Sequence, residues 1–374
     1  MEAIPSPTVA IKINEWYKLI KKFNVKDAET LREEIRKEID LMEEDEQAVL
    51  YFQLMEFRHQ LMIDYVQPSE QPLEKSDYLK AVEGQGKKMS GFLEYYFNFF
   101  QGMYEFKMGE FIKAIMFYRR AEKRLEQVAD ELEKAEFYYK LSEVFYHMKQ
   151  THMSMYYVGL SHDTYKAYKT HSIYMIREIN CLTVVAGNYI DLECREKALP
   201  HLLDVLEKAK ALKNQHMIYR ALNNIGTCYR GLGDNIRAVS YFHQAIQVGE
   251  PINEKMLPTY YEMALIHLGN SEFIEGQEFY RKAMEQAEIY EDDLFFSILR
   301  VLKNLFLESA NLSDVLNSLK KLENTRGYPY MEDLALEAAQ FYTKNGRVDE
   351  SVNLYELMIY ARKQIQRGDC LYEY

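Results

Sequence analysis

An acidic run that ends in an amide is the feature of this sequence that could most readily do chemistry. Residues 42–47 read MEEDEQ and are followed directly by the apolar run AVLYF. Carboxylates are favoured at a helix N-terminus, where the helix dipole is positive, so the run can simply be a solvated turn that starts a helix. A functional role for Glu44, Asp45, Glu46 or Gln47 needs support from the rest of the chain.

Four polar residues further along could bind a peptide. Asn188, Asp191, Asn223 and Asn224 lie on or near the first helices of the repeats described below, and such helices line the inner groove of a repeat solenoid. An asparagine amide can both donate to and accept from a peptide backbone. An aspartate could instead select a basic side chain. An ordinary hydrogen bond between helices is the alternative for each of them.

The sequence contains none of the common signatures of other chemistry. Its nine histidines form no HExxH motif and none is paired with a cysteine at a metal-binding spacing, so no metal site is expected. There is no GxSxG, no P-loop and no GxGxxG between a strand and a helix. The cysteines form no CxxC pair, which fits a reducing compartment better than disulfides. They are Cys181, Cys194, Cys228 and Cys370.

Composition indicates a folded, soluble protein. The chain has 374 residues, of which 48% are hydrophobic, so a packed core is feasible. It has 46 basic and 58 acidic residues, and the resulting net charge of −12 disfavours binding to nucleic acid or to anionic membrane surfaces. No signal-peptide pattern and no membrane-spanning apolar run is present. We therefore expect a cytoplasmic protein with no direct nucleic-acid partner and no membrane partner.

Helical periodicity dominates the chain and predicts an all-α fold. Helices at about 8–23, 27–42 and 46–66 each carry an apolar stripe, which is typical of a small three-helix bundle. We assign this bundle to residues 1–66. Residues 67–91 are polar and contain prolines and glycines, so they are predicted to form a linker.

A pattern of small residues repeats from about residue 92 onward. A small residue is followed by another 12 positions later, by an aromatic or aliphatic residue at +16 and by a small or apolar one at +19. Small residues let the two helices of a pair approach closely, and the aromatic fills the space beside them. The pattern matches the tetratricopeptide repeat with slightly longer loops. It predicts a superhelix of about seven helix pairs over 92–374, one of them degenerate and near 295–325. The recognisable copies begin at Gly102, Ser142, Ala186, Gly226, Ala264 and Ala339.

Short strings spread along the chain resemble the Rap proteins of bacilli. They are KINEWY at 12–17, DLMEED at 40–45, FRHQLM at 57–62, LEYYFNFFQGMYEF at 93–106, EKAEF at 133–137, MKQTHMSMYY at 148–157 and RGDCLYEY at 367–374. A small helical bundle, a linker and seven tetratricopeptide-like repeats also describe that family. The resemblance covers essentially the full length and goes well beyond generic repeat similarity.

The resemblance implies two kinds of activity. Some members of the family dephosphorylate the aspartyl phosphate of a response regulator in the sporulation phosphorelay. Others bind the DNA-binding domain of a response regulator and block transcription without any chemistry. Both kinds are typically switched off by a short secreted and re-imported Phr peptide, which binds in the repeat groove. No cofactor is implied for the chain itself, because a divalent metal would belong to the response regulator.

The sequence departs from the family at the catalytic position. In the phosphatase members a glutamine directly after MEED orients the attacking water, whereas here Glu46 follows Asp45 and Gln47 comes one residue later. A carboxylate would repel the phosphoryl group by about 1 kcal/mol in water at ~4 Å, and by about 4 kcal/mol at an effective dielectric of 20. A shift of one residue also rotates a side chain by about 100° around a helix. The resemblance thus implies an inhibitor that acts by binding, with a phosphatase that uses Gln47 or another residue as the alternative.

The resemblance also assigns contacts with each partner. The acids of the MEEDEQ run, including Glu44 and Asp45, would face the response regulator. Further contacts with the regulator would be Phe57, Phe92, Asp130 and Glu133. Asp191 would hold a basic side chain of the Phr peptide, and Asn224 would hold its backbone. Peptide binding would draw the bundle into the repeat array and remove the regulator-binding surface, as a two-state switch.

Two further functions stay open at this stage. Related repeat proteins carry helix-turn-helix domains at their N-termini, so the chain could be a peptide-responsive DNA-binding regulator. Residues 1–66 hold 9 basic and 14 acidic residues, and this acidic balance argues against it. The other alternative is a general scaffold, which would show no selective response to a short peptide.

Overall fold

The computed structural model of the chain is all α-helical, as predicted. It describes residues 3–66, 91–168, 172–324 and 326–366. Within these ranges the one extended pairing is an isolated bridge between Ile4 and Met42. No helix in them combines the length and the apolar character needed to cross a membrane. The predicted linker lies outside the described residues except for its last position, as do the string at 367–374 and Cys370.

The N-terminal bundle contains three helices, at or near the predicted positions. They are α1 (Ser6–Lys21), α2 (Val25–Ile39) and α3 (Glu46–Val66). A proline in the first turn of α1 suits a helix start, because its fixed φ is close to the helical value. α1 then buries Ile13, Trp16 and Ile20 along one face. α2 follows Asn24, whose side chain accepts a hydrogen bond from the backbone N–H of Asp27.

Seven helix pairs follow in the described part of the chain, which confirms the predicted number. They are α4 (Phe92–Lys107) with α5 (Phe111–Glu122), α6 (Glu131–His147) with α7 (Thr151–Ala167), α8 (Ser172–Asp191) with α9 (Arg195–Ala211), α10 (Gln215–Gly231) with α11 (Asn235–Gly249), α12 (Leu257–Gly269) with α13 (Phe273–Ile289), α14 (Asp293–Leu302) with α15 (Leu312–Lys320), and α16 (Tyr328–Lys344) with α17 (Val348–Gln366). Short helical turns lie at Leu125–Gln127, Glu250–Ile252 and Lys303–Leu307. The sixth pair is the degenerate repeat predicted near 295–325.

Close helix approach within a pair depends on the small residues of the repeat. A Cβ atom placed on Gly226 of α10 would lie only 2.6 Å from the ring of Phe242 on α11. Gly102 and Tyr118 make the equivalent close approach between α4 and α5. Both aromatic rings are fully buried, so the missing Cβ creates the space that each ring fills.

The described residues fall into two compact units. Unit 1 holds the described residues up to Val144 together with Asp163–Ala167, and unit 2 holds Phe145–His162 and the described residues from Tyr168 onward. The bundle therefore shares a unit with the first helix pair and with most of α6. The assignment of the bundle and the repeats to separate domains stays a prediction.

A buried histidine links the three helices of the bundle. Trp16 on α1 donates its indole N–H to Nδ1 of His59 on α3 at 3.0 Å. The other ring nitrogen, Nε2, lies 3.2 Å from a carboxylate oxygen of Glu29 on α2. Because an indole can only donate, Nδ1 is the acceptor and the ring proton is on Nε2, where it donates to Glu29. Burial lowers the pKa of His59, although Glu29 acts in the opposite direction.

We expect the bundle to lose stability as the pH falls below about 6.5, the pKa of histidine in an unfolded chain. The unfolded chain then binds a proton at His59 while the folded chain does not. The contribution of His59 is thus complete above that pH and is lost as the pH falls toward the lower pKa of the folded state. Urea unfolding followed by the fluorescence of Trp16, the single tryptophan of the chain, measures this effect.

The control for this experiment is a pair of histidine variants. His59→Gln keeps an acceptor for the indole N–H and cannot take up a proton, so it should flatten the pH dependence of the free energy of unfolding. His243→Gln changes an exposed histidine and should leave that dependence as in the native protein. Identical pH profiles for the two variants would contradict the assignment.

Candidate functional site

The acidic segment before α3 forms a capped helix start. The Oδ1 atom of Asp45 accepts hydrogen bonds from the backbone N–H groups of Gln47 at 3.0 Å and Ala48 at 3.1 Å. A hydrogen bond with the Ser6 side chain, followed by those from the α3 backbone, lowers the pKa of Asp45. Asp45, which sequence reasoning named as a regulator contact, is thus the charged N-cap of α3 in this conformation.

The first residues of the chain hold the acidic segment in place. The backbone N–H of Ile4 donates to the carbonyl of Leu41 at 3.0 Å, and that of Glu43 donates to the carbonyl of Ile4 at 2.9 Å. Sequence reasoning missed this tether, because a pairing of so few residues has no periodic signal. The segment is therefore fixed at one end by Ile4 and at the other by the Asp45 cap.

The remaining candidate residues of this segment face solvent. Glu44, Glu46 and Gln47 are all exposed. Glu46 and Gln47 are the first two residues of α3, so their side chains leave the helix about 100° apart. The Gln47 amide lies in the first turn of α3, at the end of the helix, where a partner protein can approach it.

Glu133 lies at the centre of a buried polar cluster in unit 1. Its carboxylate accepts hydrogen bonds from the hydroxyl of Tyr17 at 2.7 Å, from Nζ of Lys21 at 3.2 Å and from the hydroxyl of Tyr95 at 3.5 Å. The side chain of Glu133 is 0% exposed. Burial raises the pKa of Glu133, and Lys21 acts in the opposite direction. This predicted regulator contact is therefore inaccessible in the present conformation.

Two further acidic residues, one just before α6 and one within it, also form ion pairs with basic residues of the bundle. Lys21 donates to Oδ2 of Asp130 at 2.9 Å. Burial acts to raise the pKa of Asp130, but the hydrogen bond and the charge of Lys21 outweigh it, so the pKa is lowered. Arg58 of α3 donates to Oε1 of Glu136 at 3.2 Å, and both side chains are almost fully buried. Sequence reasoning named Asp130 but missed Lys21, Arg58 and Glu136. The one available signal was that two of the family-like strings contain these residues: FRHQLM (57–62) contains Arg58, and EKAEF (133–137) contains Glu136.

The two predicted apolar contacts differ in accessibility. Phe57 is 1% exposed, and its ring centre lies 6.0 Å from that of Tyr104 on α4. Phe92 is 49% exposed, and its ring lies edge-on to Tyr51 at 5.6 Å. Only Phe92 of the pair is available to a partner without a change in the packing of α3.

The candidate asparagines of unit 2 have different environments. Asn188 is buried and donates to the hydroxyl of Ser154 at 2.8 Å, while Asn223 accepts from the hydroxyl of Thr259 at 2.7 Å. Asn224 is half-buried, and its side chain makes no hydrogen bond with the described residues. Asn224 is therefore the amide that a ligand could use without first breaking a contact between helices.

Asp191 lines a cavity of about 760 Å³ in unit 2. Lys149 donates to its Oδ1 atom at 2.8 Å, whereas its Oδ2 atom is buried and has no hydrogen-bond partner among the described residues. Burial raises the pKa of Asp191, and Lys149 opposes this shift. A cationic ligand group in the cavity would stabilise the charged form of this carboxylate. Other charged residues that line the cavity are Glu193, Arg195, Glu332, Asp333 and Arg362.

A cluster of charges that sequence reasoning missed spans the inner face of unit 2. Arg230 forms ion pairs with Glu262 at 2.5 Å and with Glu337 at 3.2 Å. These residues belong to α10, α12 and α16, which are all first helices of their pairs, so the first helices face one another. Asp333 lines the same cavity as Asp191. Its side chain is exposed to solvent, but the surrounding protein atoms reduce its hydration, and this raises its pKa to about 6.

A helical bundle followed by helix pairs with a charged inner face defines the class: a tetratricopeptide-repeat protein with an N-terminal helical bundle. Among the residues that the structure describes, no group of histidine, cysteine and acidic side chains could hold a metal ion. A family profile described as "response regulator aspartate phosphatase H, N terminal" matches residues 3–64, and a tetratricopeptide-repeat profile matches 219–248.

The chain belongs to the Rap family. It is 44% identical to response regulator aspartate phosphatase E of Bacillus subtilis (strain 168) over 377 residues, which cover 100% of both chains. It is 37% identical to the regulatory protein RapF of the same organism, with 99% of this chain and 98% of RapF covered. Among solved structures, a Rap protein complexed with competence and sporulation factor matches with a TM-score of 0.86, 37% identity and coverage of 97% and 99%. The apo form of RapI matches with a TM-score of 0.76, 32% identity and coverage of 97% and 99%.

Proposed function

We propose that this protein binds a bacterial response regulator and inhibits its signalling, and that a short Phr-type peptide bound among the repeats switches it off. The bundle at 1–66 would be the regulator-binding domain and the repeats at 92–374 the peptide-binding domain. The response regulator supplies its own divalent metal, so the chain needs no cofactor. Because the proposed regulator partner acts in the cytoplasm, that is the proposed compartment.

The observation that carries this proposal is the burial of two predicted regulator contacts beside an accessible candidate peptide site. Phe57 and Glu133, which would contact the regulator, are buried within unit 1 by helices α1, α3 and α4, although Phe92 is exposed. The half-buried Asn224 and the cavity beside Asp191, which would contact the peptide, are accessible. The conformation thus favours a peptide ligand and requires the bundle to move before these regulator contacts form.

The burial of these two regulator contacts supports a two-state switch. A ligand shifts such an equilibrium only by the difference between its affinities for the two states. A peptide that binds the present conformation more tightly would keep Phe57 and Glu133 buried, and a regulator that needs them exposed would favour the other state.

An active phosphatase is the second candidate, and the exposed Gln47 in the first turn of α3 favours it. Relatives of both descriptions occur, since some are named response regulator aspartate phosphatases and others regulatory proteins. In the phosphatase mode the Gln47 amide would hold a water and donate to a phosphoryl oxygen. The neighbouring Glu46 would oppose this mode, because its carboxylate is repelled by the phosphoryl group.

Phosphate release from a phosphorylated sporulation-pathway response regulator separates the two modes. We expect the native protein to bind the regulator without accelerating phosphate loss, and Glu46→Gln to accelerate it by about fivefold or more, because a repulsion of roughly 1–4 kcal/mol is removed. Asp40→Asn is the matched control, since it removes an exposed carboxylate just before the acidic segment and should have little effect. Rapid phosphate release by the native protein, abolished in Gln47→Ala, would establish the phosphatase instead.

A further inference from the structure

The acids at the start of α6 are already bound by cations from within the same chain. Lys21 of α1 contacts Asp130 at 2.9 Å and Glu133 at 3.2 Å, and Arg58 of α3 contacts Glu136 at 3.2 Å. Both cations belong to the bundle, and all three acids belong to the first repeats. The contacts therefore join the two parts of unit 1 through charge as well as through apolar packing.

The burial of these charges allows the bundle to dock reversibly against α6. Glu133, Arg58 and Glu136 are each at most 3% exposed. Removing ions from water is costly, and their mutual attraction in the interior roughly offsets that cost. When such pairs separate, each ion regains its hydration. A charged interface can therefore open at a lower net cost than an apolar interface of the same area.

Tyr17 reinforces the same contact without adding charge. Its hydroxyl donates to Glu133 at 2.7 Å, and its ring lies edge-on to Tyr96 on α4 at 5.3 Å. The ammonium group of Lys21 also lies 4.8 Å from the centre of the Tyr17 ring. Residues of one face of α1 thus satisfy both oxygens of the Glu133 carboxylate. Because the Glu133 side chain is 0% exposed, a partner protein cannot reach its carboxylate while α1 is in place.

We propose that Lys21 and Arg58 are built-in competitors of the response regulator: they occupy Asp130, Glu133 and Glu136, which can contact cationic side chains of the regulator only after the bundle has moved away. This inference rests on the proposed function, because it takes Asp130 and Glu133 as regulator contacts, and it adds Glu136 to them. It adds the chemistry of the partner, since a surface of three carboxylates selects lysine or arginine side chains. It also names the residues of the chain that set the affinity for the regulator.

Hydrogen exchange and regulator binding together test the proposal on the full-length protein. Lys21→Gln and Arg58→Gln should accelerate amide exchange in residues 131–144 of α6 by about tenfold or more, because a buried carboxylate is left without its cation. The same variants should bind the sporulation-pathway response regulator about tenfold more tightly in the absence of peptide. Exchange in α2 reports whether the bundle itself is still folded, and it should stay as in the native protein.

Two variants within the bundle are matched controls. Lys12 lies on the same helix as Lys21 but pairs with Glu34 at 2.6 Å and Glu38 at 2.5 Å. Arg36 is 42% exposed and pairs with Glu33 at 3.6 Å and with Glu56 at 3.5 Å, and Glu56 keeps its ion pair with Arg32 when Arg36 is replaced. Lys12→Gln and Arg36→Gln therefore remove charges of the same kind without touching α6, and they should change neither the exchange of α6 nor the affinity for the regulator.

Each contrary outcome has a distinct meaning. Unchanged exchange of α6 in Lys21→Gln and Arg58→Gln, or equal acceleration in α6 and α2, would overturn the proposed docking contacts. Faster exchange in α6 with no gain in affinity over Lys12→Gln would overturn the competition while the proposed function stands. If neither the native protein nor any variant binds the regulator, the proposed function is wrong and the competition fails with it.

Discussion

Replacement of Arg230 by alanine is expected to lower the free energy of unfolding of unit 2 by about 3–5 kcal/mol, because it leaves a buried carboxylate without its cation. Arg230 forms ion pairs with Glu262 at 2.5 Å and with Glu337 at 3.2 Å. The Glu262 side chain is only 9% exposed, so water cannot replace the guanidinium. Urea unfolding followed by far-UV circular dichroism measures the change.

A double variant distinguishes a lost ion pair from lost packing. Arg230→Met combined with Glu262→Met should recover much of the stability, because replacing both buried partners by apolar side chains removes the unpaired charge. Arg237→Ala is the control, since Arg237 is 65% exposed and pairs with Asp234 on the surface. An Arg230→Ala variant that unfolds at the same urea concentration as the native protein would refute the role of this cluster.

Replacement of Asp191 by asparagine is expected to weaken the binding of an arginine-containing peptide by about 2–5 kcal/mol, or roughly 30-fold or more. The Oδ2 atom of Asp191 is buried beside the cavity without a hydrogen-bond partner in the described part of the chain. A guanidinium there would meet a carboxylate that Lys149 only partly satisfies, through Oδ1 at 2.8 Å. Asparagine keeps the shape of the side chain and removes the charge.

Calorimetry with short peptides that carry a single arginine at each position in turn measures this effect. Glu193→Gln is the matched control, because Glu193 lines the same cavity but is 68% exposed and pairs with Arg195. Its variant should bind the peptides nearly as tightly as the native protein. If glutamine in place of the arginine leaves binding to the native protein unchanged, Asp191 does not select a basic side chain.

The helix pairs could be predicted because their signals are local. The degenerate pair expected near 295–325 is α14 and α15, which begin at Asp293 and end at Lys320. The spacing of Gly226 and Phe242 likewise predicted a contact between two helices joined by a short turn. The Phe242 ring does lie only 2.6 Å from the position that a Cβ atom on Gly226 would take. Residues so close in the chain meet whenever the pair forms, so their spacing carries the information.

Sequence periodicity failed to predict the end of α2, because a segment distant in the sequence determines where this helix stops. The second helix was predicted to reach residue 42, but α2 ends at Ile39. The backbone of Leu41 and of Glu43 pairs instead with Ile4, which lies at the other end of α1. This pairing also holds the acidic segment in place. The position of Gln47 therefore depends on the contact with Ile4, which the hydrophobic periodicity of the sequence does not predict.

The all-α class, the bundle, the seven helix pairs and the resemblance to the Rap family can all be inferred from the amino-acid sequence. Hydrophobic periodicity and small-residue spacing recur many times, and each copy reinforces the others. The pairing of the buried charges, in contrast, depends on the folded packing of the helices. Lys21 reaches Glu133 across 112 residues, and Arg230 reaches Glu337 across 107. A single charged residue has the same sequence signature whether it is solvated or buried, because its partner is chosen by the packing of many other side chains.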